Sequence, residues 1–306
     1  MPAKLRQALI PLLCAGVALA APANAGAVTV GIADQSAAMF SSPYFTSLHI
    51  TQARLLVPWN AAVMRDHAPL DYAAAWIQAA QADGVQPLID FEADPGRAGN
   101  YIPSVKVYTA AVRAFVRRFP TVKQYIAWDE PDWNYRSLSR KPRLAAAYYN
   151  ALTQICGRGC TIVAGDLYLD AGHLGAWVRA YEKGLRYRPR AWALHPYNDV
   201  QGHTTSQIRV MLRYMTPGAQ LWLTEISGVV RRGHWHGHNL TQTLAKQAAD
   251  ERFLFSLPRR FRRITRIYHY QWQGTRPGPN TGWDSGLLNP NGTPRPAYYV
   301  LKSAAR

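Results

Sequence analysis

Gln124-Tyr125-Ile126-Ala127-Trp128-Asp129-Glu130-Pro131-Asp132-Trp133 runs from apolar residues suited to a buried strand straight into an acidic pair, with a tryptophan on each side. Pro131 then stops any regular continuation, because it cannot donate to a ladder. Alone, the stretch reads equally well as a strand end with solvated acids or as half of a catalytic carboxylate pair. The segments on either side decide between the two.

Upstream, residues 27–33, 53–58 and 86–91 read as strands. Between them lie a short helix over 41–50, an alanine-rich helix over 70–82 ended by Asp83-Gly84, and a helix from an N-cap at Ser104 to Arg118. Downstream, strands are expected at 161–166, 191–195, 220–225 and 264–272, and helices at 141–155, 174–187, 206–215, 240–257 and 296–303. Several strands are apolar on both faces, which fits a parallel sheet covered on both sides. With the quoted stretch as the fourth strand, the pattern predicts an α/β chain folded as a single (β/α)8 TIM barrel. A doubly wound open sheet is disfavoured, because no glycine-rich phosphate turn follows the first strand.

The amino terminus reads as a secretory leader. Lys4 and Arg6 precede an apolar run over 10–20 that is short for a bilayer span, and Ala23-Asn24-Ala25 is a small-x-small cleavage signal. The expected division is a leader over 1–25 and one domain over 26–306, secreted, monomeric and free of the membrane once cleaved. The formal charge is +17, and loss of Lys4 and Arg6 leaves +15. Such a surface attracts polyanions, so an anionic cell-wall polymer is an expected partner. The blander reading is arginines spread over a solvated surface. Arg259-Arg260 with Arg262-Arg263 is the densest basic cluster, and a barrel would place it far from its active face. It lacks the interleaved aromatics of a base-stacking platform, so nucleic acid is not an expected partner. Cys156 and Cys160 are a disulfide candidate closing a tiny loop. They have no evident partner ligands, so no metal site is expected of them.

In a barrel, the carboxyl ends of all eight strands converge on one face, where active sites form. Functional side chains do gather at the expected ends: Arg54 with Trp59 and Asn60, Asp90 with Glu92 and Asp94, Asp129 with Glu130, Asp166 with Tyr168, His195 with Tyr197, then Glu225 and Trp272. Glu130 and Glu225 each close an apolar strand, and strands four and seven face each other across the mouth. Two carboxyls in that relation suit glycoside hydrolysis, in which one protonates the leaving oxygen and the other attacks or activates water. Asp90 and Glu92 are rival carboxylates, equally suited to substrate binding or to pairing with Arg54.

Here the chain resembles the glycoside hydrolases of clan A, a superfamily of retaining (β/α)8-barrel glycosidases. Trp128-Asp129-Glu130-Pro131 resembles the clan's acid/base motif at strand four. Leu223-Thr224-Glu225 resembles its nucleophile at strand seven, and His195-Pro196-Tyr197 its His-x-Tyr after strand six. The resemblance implies that Glu130 is the acid/base, that Glu225 is the nucleophile, and that Arg54 supports Glu225. It also implies that Trp272 is a sugar platform and that no cofactor is needed. The tail from Gly286 to Tyr299 resembles the clan's closing segment. One departure is Asp129, where the clan usually carries an asparagine that hydrogen-bonds the sugar 2-hydroxyl. A carboxylate accepts such a bond but cannot donate one.

Trp59, Trp133, Trp235 and Trp283 are further stacking candidates, each equally explicable as packing. His234-Trp235-His236-Gly237-His238 is read as a loop lining the cleft rather than a metal site. The expected activity is retaining hydrolysis of a β-linked glycan. The rival expectations are a barrel that binds glycan without turnover and a wall anchor acting through its basic surface.

Overall fold

The computed structural model describes residues 28–96, 101–133, 138–235, 238–276 and 282–306. The expected leader lies outside the described residues, as do the side chains of the His234–His238 loop. In chain order the elements are β1 (Thr29–Ala33), α1 (Pro43–Thr46), β2 (Gln52–Pro58), α2 (Ala68–Ala82), β3 (Gln86–Glu92), α3 (Val105–Arg118), β4 (Gln124–Ile126), α4 (Pro142–Cys156) and β5 (Thr161–Leu167). They continue with α5 (Ala171–Glu182), β6 (Ala191–Leu194), α6 (Tyr197–Gln201), α7 (Ser206–Tyr214), β7 (Gln220–Ile226), β8 (Arg231–Trp235), β9 (His238–Thr241), α8 (Leu244–Arg260), β10 (Ile264–His269), β11 (Trp283–Asp284) and α9 (Pro296–Ala304).

Eight parallel strands close into a barrel in the order β1-β10-β7-β6-β5-β4-β3-β2. The quoted stretch supplies the fourth barrel strand, as expected, and β10 supplies the eighth. Side chains alternate across each strand, so every second residue enters the barrel. Three layers result. At the amino-terminal end, Arg266 donates to Gln52 at 2.9 Å and to Gln124, and its guanidinium lies 3.9 Å from the Trp222 ring centre. A middle layer of Ala33, Leu88, Ile126, Val163, Ala193, Trp222 and Tyr268 is apolar and buried. Beyond it, Arg54, Asp90 and Asp166 form a layer of ionisable side chains at the carboxyl end. Outside the barrel a larger apolar cluster fills the space between strands and helices.

The structure departs from the sequence expectation on the rim. Residues 240–241, expected to begin a helix, belong to β9, and α8 starts only at Leu244, where Thr243 caps it by accepting from the Lys246 N–H at 3.1 Å. β8, β9 and β11 form a small antiparallel sheet over the carboxyl face. The eighth barrel strand ends at His269 rather than at 272. Cys156 and Cys160 are joined in a disulfide at the end of α4. No helix among the described residues is long and apolar enough to cross a membrane.

The basic cluster divides. Arg263 turns inward and donates to the carbonyls of Ala219 and Thr216, each at 2.7 Å. Arg259 and Arg262 are exposed and, with Arg252, Phe255 and Tyr299, line a groove of about 1160 Å³ along α8 and α9.

Gly31 marks the tightest point of the barrel interior. A Cβ there would lie 2.7 Å from the Tyr268 ring and 2.9 Å from the Gln52 carbonyl oxygen. Gly31→Ala is therefore expected to cost about 1–3 kcal/mol by overpacking, read as a lower urea midpoint. An unchanged midpoint would show that the ring and strand yield freely.

Candidate active site

The carboxyl ends of β2, β3, β5 and β7, with the segment that follows β4, bring five ionisable groups onto one point. Arg54 projects inward from β2 and is buried. Its Nε and Nη2 donate to Asp90 at 2.9 and 2.6 Å. Nη2 also reaches Asp129 at 2.9 Å and Asp166 at 3.2 Å, and Nη1 donates to Glu225 at 2.7 Å. Burial works against the guanidinium's charge, but the surrounding carboxylates outweigh it and hold the group well above its ordinary range.

The carboxylates around Arg54 are not equivalent. Burial, then the charge of Asp166, pushes Asp90 well above the usual carboxylate range, against the pull of Arg54. Asp166 is equally buried, but His195 and Arg54 hold it below that range. The two carboxyls are thus driven in opposite directions, Asp90 toward its protonated form and Asp166 toward its ionised one. Thr224 Oγ1 also donates to Asp166.

His195, at the end of β6, joins this cluster to the other wall. Its Nδ1 lies 2.9 Å from Glu130 Oε1, and its Nε2 lies 3.0 Å from Asp166 Oδ1. Burial would strip the ring of its proton, yet Asp166 and Glu130 outweigh burial and hold it well above the ordinary histidine range. The ring is thus held toward its charged form, with Nδ1 hydrogen-bonded to Glu130, while Nε2 lies beside Asp166 without the alignment of a hydrogen bond. Glu130 sits just beyond β4 with φ at +40°, in the left-handed region that a non-glycine side chain rarely adopts. Burial raises its carboxyl to about 7, with help from Asp129 and Glu225 and against the hydrogen bond from His195.

Glu225 is held from two sides. Arg54 binds Oε2, and the Tyr197 hydroxyl donates to Oε1 at 3.2 Å. The side chains of Glu130 and Glu225 are 12% and 14% exposed, so both reach the cleft that buried Arg54 supports from below. One oxygen of each lies within 4.8 Å of the other. That is the closeness expected of an acid/base and a nucleophile in a retaining glycosidase, not the wider gap an inverting enzyme needs for its water.

Arg54, Asp90, Asp129, Glu130, His195, Tyr197 and Glu225, all expected from the sequence, come together. Two expected platforms do not. Trp272 is 3% exposed and turns into the helix layer, edge-on to Phe45 at 5.7 Å and to Tyr298 at 6.5 Å. With β10 ending at His269, its backbone N–H is drawn to Asp34 at 2.8 Å, and the ring gains more from burial than from the cleft. Trp59 is 2% exposed and packs against Tyr101 and Tyr108. Trp283 takes their place, its ring edge-on to Tyr197 at 5.1 Å. Tyr168, Tyr270 and Arg232 also border the cleft. Asp166 and Tyr168 stood at an expected strand end, but nothing in the sequence gave Asp166 its contact with His195.

No protein-family model and no curated protein sequence matches the chain. Solved structures do. A family 39 glycoside hydrolase from Bacteroides cellulosilyticus WH2 superposes with a TM-score of 0.65 at 17% identity, over 90% of this chain and 63% of that one. This chain thus spans 63% of that protein's length. Xylanase 10B from Thermotoga maritima gives 0.60 at 14% identity, over 91% and 94% of the two chains. A family 128 endo-β-1,3-glucanase from Amycolatopsis mediterranei gives 0.59 at 15%, over 90% and 99%. The fold is the (β/α)8 barrel of these glycoside hydrolases, and the resemblance to clan A holds at the level of fold.

Arg54→Met leaves Asp90, Asp129, Asp166 and Glu225 around an uncharged stem. A loss of about 3–5 kcal/mol is expected, the cost of stranding buried charge, and equilibrium urea unfolding measures it. A loss below about 1 kcal/mol would mean that the carboxylates take up protons without penalty.

Proposed function

We propose that this protein is a retaining glycoside hydrolase acting on a β-linked glycan, exported by the leader at 1–25. The observation that carries the reading is the approach of Glu130 and Glu225 within 4.8 Å, the first raised to about 7 and the second held by Arg54 and Tyr197. A buried carboxyl whose acidity is weakened to near neutrality is suited to act as the acid, and a carboxyl bound by a cation to attack. Glu130 keeps its proton near neutrality and gives it to the glycosidic oxygen as that bond to the anomeric carbon breaks. Glu225 attacks the anomeric carbon and forms a glycosyl ester. Glu130, now ionised, takes a proton from water, whose oxygen displaces Glu225 and restores both groups. The substrates named for the barrel's neighbours, xylan and β-1,3-glucan, make β-glucans and xylans the first to try.

Reducing-end release from a panel of β-glucans, xylans, mannans and galactans tests the reading. Glu130→Gln and Glu225→Gln are each expected to lower kcat by at least 10²-fold, the ordinary scale for losing a positioned acid/base or nucleophile. Wild-type kcat/KM should fall on the alkaline side with an apparent pKa of about 7, as Glu130 loses the proton it must donate. Glycan binding without release would favour a non-catalytic barrel instead.

The exposed arginines of the α8–α9 groove support a second surface, for an anionic wall polymer. Retention on an anionic polymer column should weaken steeply with salt and with Arg259→Ser plus Arg262→Ser, while hydrolysis stays unaltered. Retention insensitive to both would remove this surface from the account.

A further inference from the structure

The rim sheet brings a second arginine to the carboxylate pair. Arg232 on β8 pairs across the strands with Trp283 on β11. Residues directly opposite on antiparallel strands project from the same face. That face lies over the pair. The Trp283 ring meets the ring of Tyr197, whose hydroxyl binds Glu225. The Arg232 guanidinium hydrogen-bonds Tyr168, which feels the charge of Glu130 and whose ring lies 6.2 Å from that of Tyr197.

The preceding arginine behaves differently. Arg231 points from the opposite face and donates to the Thr275 carbonyl at 3.1 Å and hydroxyl at 2.9 Å, with Asp284 at 4.0 Å. Its role is to hold the sheet. Among the described residues, the arginines in ion pairs with carboxylates are Arg54, Arg231 and Arg295. Arg232 has no such partner, and its Nε has no hydrogen-bond partner at all. The other cations of the site, Arg54 and His195, are already taken up by carboxyls. Among the described residues of the cleft, Arg232 is therefore a cation still open to a ligand.

We propose that Arg232 binds the carboxylate of a uronic acid residue in the glycan, with Trp283 against the sugar ring. The proposal rests on the glycosidase reading and names its substrate class. A guanidinium presents paired donors that match a carboxylate, and a neighbouring aromatic face suits the ring that carries it. Glu225 and Asp129 would repel an anionic group placed beside them. The charged sugar therefore sits at the Arg232 side, next to the residue being cleaved rather than between the two glutamates.

The test compares a glucuronic-acid-bearing xylan and a β-linked polyglucuronate with the same polymers after their carboxyls are reduced to alcohols. Binding and kcat/KM are measured for wild type, Arg232→Met, Arg232→Lys and, as a control at the exposed position just before β6, Arg190→Met. Wild type is expected to favour a charged form at least tenfold. Arg232→Met should bring that ratio near one, mainly through KM, Arg232→Lys should keep part of it, and Arg190→Met should keep all of it. Equal treatment of charged and reduced polymers by wild type, binding of neither charged polymer, or an unchanged ratio in a folded Arg232→Met would overturn the proposal. Preference in binding without cleavage of any glycan would uphold the Arg232 site while removing the hydrolase reading.

Discussion

A single guanidinium, Arg54, is the cation around which the carboxyls of the site are gathered. It is buried at the carboxyl end of β2 among Asp90, Asp129, Asp166 and Glu225. Removing so many carboxyls from water is costly, and one cation cannot neutralise them all. The cluster resolves this by dividing its protons. Asp90 is driven toward its protonated form, Asp166 toward its ionised one, and His195 toward its charged one. Each of these states follows from its neighbours, and none follows from burial alone.

That division reaches Glu130 through two contacts. Asp166 fixes the charge of His195, and His195 donates to Glu130. The hydrogen bond pulls Glu130 down while burial pushes it up, and the balance falls at about 7. Without His195 the same buried carboxyl would stand higher and give up its proton less readily. Glu225, barely 5 Å away, has a guanidinium and a phenol on its two oxygens instead. Asp129, the residue most out of pattern in the sequence, is one of the acceptors of Arg54. Its carboxylate is bound into the charge network, so the departure from asparagine adds an anion to the supporting cluster.

The barrel was legible because strand residues alternate. Gln86, Leu88, Asp90 and Glu92 pass in steps of two from the polar end, through the apolar layer, to the site. The two glutamates were legible because each ends such a strand. The aromatic lining was not. A tryptophan near a strand end gains as much from the helix layer as from the cleft, and residue type does not say which way the ring turns. Trp59 and Trp272 turned outward, and Trp283, on a two-residue strand in an irregular loop, turned in. The rim hairpin was hidden for another reason: Leu240 continues the apolar period of α8, and only the cap at Thr243 marks where the helix starts. The contact of His195 with Asp166 joins the ends of neighbouring strands at a shift of register, which no local pattern displays.

Two kinds of structure therefore meet at this site, with different freedom to change. The barrel strands carry the carboxylate pair and its supporting charges, in which nearly every donor and acceptor is committed to another side chain. A change there disturbs several protonation states at once. The rim sheet carries Arg232 and Trp283 on short strands that pair with each other and not with the barrel. A change there alters what meets the substrate and leaves the Arg54 cluster intact. On the proposed reading, reaction chemistry and sugar preference are held by separate sheets, and recognition falls to the one that carries Arg232 and Trp283.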